Sequence, residues 1–119
     1  MKNTVFLIIL LISTGVFAGK ADVLEVKVNC ADSCTFQVTV QHADSGWDHY
    51  ANEWQVVSAD DGSILGTRVL YHPHVNEQPF TRTLSAVRIP ANLKQIIVKA
   101  KDTVHGYVGL EQTVTLPLH

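Results

Sequence analysis

Beyond its first residue this chain has no methionine, and it has only two cysteines, Cys30 and Cys34. With those two thiols joined, no soft sulfur ligand remains, which excludes a Cu(I) site. Basic residues are also few: nine Lys and Arg against eleven Asp and Glu leave a net charge of −2. They form neither a stripe nor an arginine cluster, so nucleic acid is not an expected partner. After residue 18 there is no repeat, no Pro/Gly-rich linker, no charge run and no stretch of helical periodicity. Ser45 and Ser85 lack the setting of a nucleophile elbow, which leaves a serine hydrolase unsupported.

The longest aliphatic run, 5–11, is short of the roughly 20 residues that a membrane-spanning helix needs. It follows Lys2 and precedes Val16, Phe17 and the small residue Ala18. This is the layout of a secretory leader cut after residue 18. No cysteine lies near the cut, so a lipid-modified N-terminus is not expected. Removing Lys2 with the leader takes the net charge from −2 to −3. The expected product is one small domain, 19–119, periplasmic or secreted and free of the membrane.

In an exported chain two cysteines this close are expected to form a disulfide. A redox motif or thiol metal site is the alternative, and the three residues between the thiols do not match the two of a thioredoxin-like motif. The flanking residues agree with the bridge. Leu24, Val26 and Val28 alternate with polar residues, as do Phe36, Val38 and Val40, which is the pattern of half-buried strands. A hairpin that sets Cys30 opposite Cys34 also sets Val28 against Phe36, Val26 against Val38 and Leu24 against Val40. Slipping the register by one residue would turn every apolar side chain outward.

Five further strands are expected at 53–58, 64–71, 80–89, 95–102 and 110–116. They are separated by turn signals at Asp60, Asp61 and Gly62 and at Pro90 to Asn92. Seven short strands in about 100 residues predict an all-β, seven-stranded, immunoglobulin-like antiparallel β-sandwich. In an up-and-down order the odd-numbered connections share one pole and the even-numbered ones share the other.

The even-numbered connections hold the unusual residues. The stretches 42–50, 71–80 and 102–107 carry His42, His49, His72, His74 and His105, five of the six histidines. Imidazole is the commonest protein ligand for transition metals. His72 and His74 flank Pro73, which favours extended backbone before it, and residues two apart in an extended segment point the same way. His42 continues the inward series Phe36, Val38, Val40. Asp44, Asp48, Glu77 and Asp102 are the nearby carboxylates able to orient imidazoles, with Glu53 also close. Trp47 and Tyr50 flank His49, and Gly106 after His105 would permit close approach. The metal-free alternatives are a buried neutral imidazole at His42 and exposed histidines at 72 and 74. Imidazole and carboxylate suit Zn(II), Cu(II), Ni(II) or Fe(II); one divalent ion of iron, zinc or copper is expected.

The segment from His42 to His49, followed by Tyr50 and Trp54, resembles the iron-site segment of superoxide reductases, the desulfoferrodoxin and neelaredoxin family. Val104-His105-Gly106 resembles the end of that family's Cys-x-x-His-Gly motif. The resemblance implies an immunoglobulin-like domain holding ferrous iron through four histidines and an axial cysteine. It assigns His42, His49 and His105 to three of the four histidines. Asp102 stands where the axial cysteine would be, and the family's early Glu-Lys-His motif has no counterpart near Asp22. A different reading makes the chain a non-catalytic, metal-free interaction module with an aromatic patch of Trp47, Tyr50, Tyr71, Phe80 and Tyr107.

Overall fold

The computed structural model of the chain describes residues 19–116. The expected leader and His119 lie outside them. Seven strands follow in order: β1 (Asp22–Cys30), β2 (Cys34–Gln41), β3 (Ala51–Ser58), β4 (Ile64–Val69), β5 (Phe80–Val87), β6 (Gln95–Asp102) and β7 (Gln112–Thr115). They form two antiparallel sheets, β1-β2-β5 and β4-β3-β6-β7. There is no helix among the described residues.

The inward faces of both sheets meet in one core. Phe36, Val38, Val40 and Phe80 come from the first sheet, and Trp54, Val56, Ile96 and Val98 from the second; all are essentially fully buried. Each set is spaced by two, as the pleat requires.

The β1–β2 hairpin pairs Cys30 with Cys34, Val28 with Phe36 and Val26 with Val38, and the disulfide is formed. One pairing differs from expectation. Val23, not Leu24, lies opposite Val40, because the ladder shifts between Val23 and Glu25. Val23 is fully buried and Leu24 is 40 % exposed. The bulge lets Val23 tuck under the β6–β7 connection, where its N–H donates to the Leu110 carbonyl at 2.8 Å. Replacing both cysteines with alanine should lower stability by about 2 kcal/mol, the loop-entropy estimate for so small a ring. A urea midpoint that falls at constant slope would show it.

The poles differ as the connection count requires. One holds the disulfide turn and the β5–β6 turn, which together line a cavity of about 670 Å³ with Ile89, Leu93 and Leu116. No histidine lines it. The histidine stretches lie at the other pole. There the β6–β7 connection is docked on β1. The Leu110 N–H donates to Asp22 Oδ1 at 2.7 Å, and Gln112 Nε2 donates to the Val23 carbonyl at 2.9 Å. A Cβ on Gly109 would fall 2.0 Å from the Ala21 carbonyl oxygen, so no other residue fits there.

Candidate metal centre

Two inward-facing series, one from each sheet, end in a polar residue at this pole. On β2 the series Phe36, Val38, Val40 runs on to His42, 1 % exposed. On β6 the series Ile96, Val98, Ala100 runs on to Asp102, 2 % exposed. Between them sits His49. A tight turn, in which the His49 N–H donates to the Gly46 carbonyl and the Ser45 N–H to the His49 carbonyl, brings it back over His42.

The ligand atoms of His42, His49 and Asp102 all lie within 4.8 Å of one another and could hold a metal ion. His42 Nε2 is 3.3 Å from His49 Nε2. His49 Nε2 is 3.3 Å from Asp102 Oδ1, and His42 Nε2 is 3.7 Å from Asp102 Oδ2. Ligands on a tetrahedral ion with bonds near 2.05 Å sit about 3.3 Å apart. The two 3.3 Å contacts match that edge; the 3.7 Å contact is longer and runs to the other Asp102 oxygen.

Each inner member is held by further groups. His42 Nδ1 meets Asp44 Oδ1 at 2.5 Å. With the proton on Nδ1, donated to this carboxylate, Nε2 presents its lone pair to the other two ligand atoms. This is the carboxylate–histidine pairing that orients imidazoles on metals. Asp44 is itself fixed by the N–H groups of Ala51 at 3.0 Å and His74 at 2.7 Å. Gln78, a neutral side chain that nothing in the sequence pattern marks, joins these groups. Its Oε1 accepts from the His42 N–H and its Nε2 donates to the His74 carbonyl, tying the first two histidine stretches together.

Asp102 Oδ1 accepts from the N–H groups of Val104 at 2.8 Å and His105 at 2.6 Å, capping the turn after β6. The His105 ring adds Nδ1 at 3.1 Å. Asp102 Oδ2 is buried and has no hydrogen-bond partner. Burial pushes the Asp102 carboxyl up, but the two N–H donors and the His105 ring outweigh it and leave it below the usual range. Asp44 behaves alike. Burial raises it, and the hydrogen bonds from His42, His74 and Ala51 bring it down further than burial lifts it. Both are anions, and a buried anionic oxygen without a donor calls for a cation.

The other sequence candidates divide. His105 is 5.0 Å from His49, ring to ring, and half exposed; it bonds Asp102 and is outside the compact group. Its ring lies on Gly19, where a Cβ would come within 2.8 Å of it, whereas Gly106 has open space around it and serves by its positive φ. The close approach expected at Gly106 thus occurs at Gly19. His74 is buried behind Asp44, with Nδ1 at 4.0 Å from Oδ2, and His72 is exposed. Asp48 is exposed, and Glu77 pairs with Arg82 at 3.1 Å. Trp47 packs edge-on to Tyr50 and is 68 % exposed. The five-member aromatic patch does not assemble. Phe80 is in the core, stacked on His74, and the Tyr107 hydroxyl donates to Glu53. Burial and the Glu53 carboxylate raise that phenol well above its usual range.

Burial, with the nearby charges of Arg82 and His72, lowers the pKa of His74. In the unfolded chain it returns to the ordinary value near 6.5. Below that value the unfolded chain binds more protons, so stability is full above about 6.5 and falls toward the lower folded value. The depressed Asp44 and Asp102 contribute stability above about 3.9 that is lost as pH falls through their folded values. The ion-free protein should therefore weaken in two windows on acidification. His74→Phe, which keeps a flat ring against Phe80, should flatten the upper window alone. Denaturant midpoints measured across pH in chelator would test this, and an unchanged upper window in the variant would refute it.

No described protein family matches the chain, and no solved structure matches it. It is similar to a protein of Halomicrobium mukohataei provisionally named a lipoprotein, at 36% identity over 97 residues, 80% of this chain. The match spans 47% of that relative, so the chain corresponds to about half its length.

Proposed function

We propose that this chain is an exported β-sandwich domain that holds one divalent transition ion between His42, His49 and Asp102. The observation that carries the reading is Asp102 Oδ2, a buried anionic oxygen with no donor, 3.7 Å from His42 Nε2, which is itself 3.3 Å from His49 Nε2. Zn(II), Cu(II) and Fe(II) all accept these donors. His49 and His105 are partly exposed whereas His42 and Asp102 are not. The ion would have one side open to water, an arrangement of three protein ligands and a free position.

Export is supported by the leader-like N-terminus, the disulfide and the lipoprotein name of the relative. The lipid in that name does not carry over to either cysteine here, since both are taken up in the bridge. The strand order supports an immunoglobulin-like sandwich whose fourth strand pairs with the third instead of the fifth. Kinship with superoxide reductases draws its support from the same sandwich and from Asp102, which lies beside His42 and His49 at the position the resemblance gives to the axial ligand. With a carboxylate there, an iron form would lack sulfur-to-iron charge transfer and would reduce superoxide poorly.

The test is elemental analysis of untagged protein taken from the exported fraction, followed by calorimetry of the chelated protein with Zn(II), Cu(II) and Fe(II). One ion per chain is expected, with binding that weakens in acid because ligation competes with protons. Absence of saturable binding of all three at neutral pH would sink the reading. The metal-free interaction module would then be preferred, on the strength of Trp47 and Tyr71, 68 % and 74 % exposed on the same loops.

A further inference from the structure

We propose that His72 and His74 form a second, outer site for a divalent transition ion such as Cu(II), separate from the centre of His42, His49 and Asp102. His74 is 6 % exposed, and neither of its ring nitrogens has a hydrogen-bond partner. A buried imidazole in that condition is unusual, because buried polar atoms are nearly always paired. Its ring is held flat against Phe80, with centroids 4.1 Å apart and planes 10° apart, so it cannot swing out to water cheaply. The missing partner must come to it.

The neighbour that supplies one is His72. Its ring centroid is 4.8 Å from that of His74. Two imidazoles that share one ion at bonds near 2.05 Å place their ring centres about 4.5 to 5.2 Å apart, depending on the angle at the metal. His72 Nδ1 lies 3.2 Å from the Pro73 carbonyl oxygen, which fixes the proton on that nitrogen. The lone pair is then on Nε2, at the exposed end of the ring. The chain bends at His72, and the two rings come together across Pro73.

The surroundings set the strength of this site. Asp44 and Glu77 act on His74 as negative charges, and Arg82 acts as a positive one. Arg82 is drawn aside by Glu77 at 3.1 Å and by the face of Phe80 at 5.4 Å. Two protein nitrogens, with water completing the shell, make a weaker site than the inner one. Cu(II), which binds such donors most tightly among the common divalent ions, is the probe of choice. The two sites touch a common group, because Asp44 holds His42 by one oxygen and faces His74 with the other.

The experiment is equilibrium dialysis of the chelated full-length mature protein against Cu(II) at neutral pH, with metal counted by elemental analysis. His72→Ala and His72→Gln should each lose one ion per chain, or weaken its binding at least tenfold. Circular dichroism should be unchanged, since His72 is exposed. His49→Ala should lose the inner ion and keep the outer one, so the two readings fail separately. The outer site is overturned if both His72 variants bind as many ions as the parent with the same affinities. It is also overturned if His119→Ala removes the second ion, which would place that ion on the C-terminal histidine.

Discussion

Replacing Asp102 with asparagine should cost the protein its ion while leaving the empty fold standing. The amide keeps one carbonyl oxygen to accept from the Val104 and His105 N–H groups, so the cap after β6 survives. What goes is the anionic oxygen that faces His42. Loss of a group that merely orients a ligand typically weakens metal binding 10- to 100-fold; loss of a ligand should weaken it on the order of 100-fold or more. Asp102→Ala should differ. It leaves two part-buried N–H donors without their acceptor, which costs about 1 to 2 kcal/mol in the ion-free protein. Calorimetry with Zn(II) and urea unfolding in chelator read the two effects apart. If asparagine preserves affinity, the carboxylate is not a ligand. If alanine and asparagine destabilise the empty protein alike, the cap has been overvalued.

The second large effect belongs to the ion itself. A ligand that binds only the folded state stabilises it by roughly 4 kcal/mol at a thousandfold excess over its dissociation constant. Saturating Zn(II) should raise the melting temperature accordingly. His49→Ala should abolish that gain. Its side chain is partly exposed and its contacts are with His42, Asp102 and the His105 ring, so the empty variant should stay within about 1 kcal/mol of the parent. A variant that keeps the full thermal gain would remove His49 from the ligand set.

Much of this arrangement is legible in the sequence, and for a reason. Cys30 and Cys34 pin one end of a hairpin, and alternation from Val26 to Val28 and from Phe36 to Val40 fixes the rest of its register. The bulge at Val23 is not legible, because Val23 and Leu24 are both apolar and the choice between them is made by a loop from the far end of the chain. The gathering of the histidine stretches follows from counting antiparallel connections. Which histidines actually meet does not follow, since that depends on how each loop folds back. Asp102 is the instructive case. His42 is noticed as the polar continuation of Phe36, Val38 and Val40; Ile96, Val98 and Ala100 lead to Asp102 by the same rule. Applying that rule to both sheets would have placed the two buried members of the centre side by side.

The docking of the β6–β7 connection on β1 has a consequence for the order of events in folding. Val23 and Gln112, which meet there, are 89 positions apart, and Leu110 and Asp22 are 88 apart. Contacts of such long sequence range close late and slowly. Asp102 ends the strand before that connection, His42 arrives from the opposite sheet, and His49 from the loop that joins the two sheets. An emerging chain would present scattered imidazoles, never the assembled triad. On the proposed reading, an ion would be captured by a finished fold instead of guiding its formation, and the compartment in which folding ends, not the one in which synthesis begins, would decide which ion is found there.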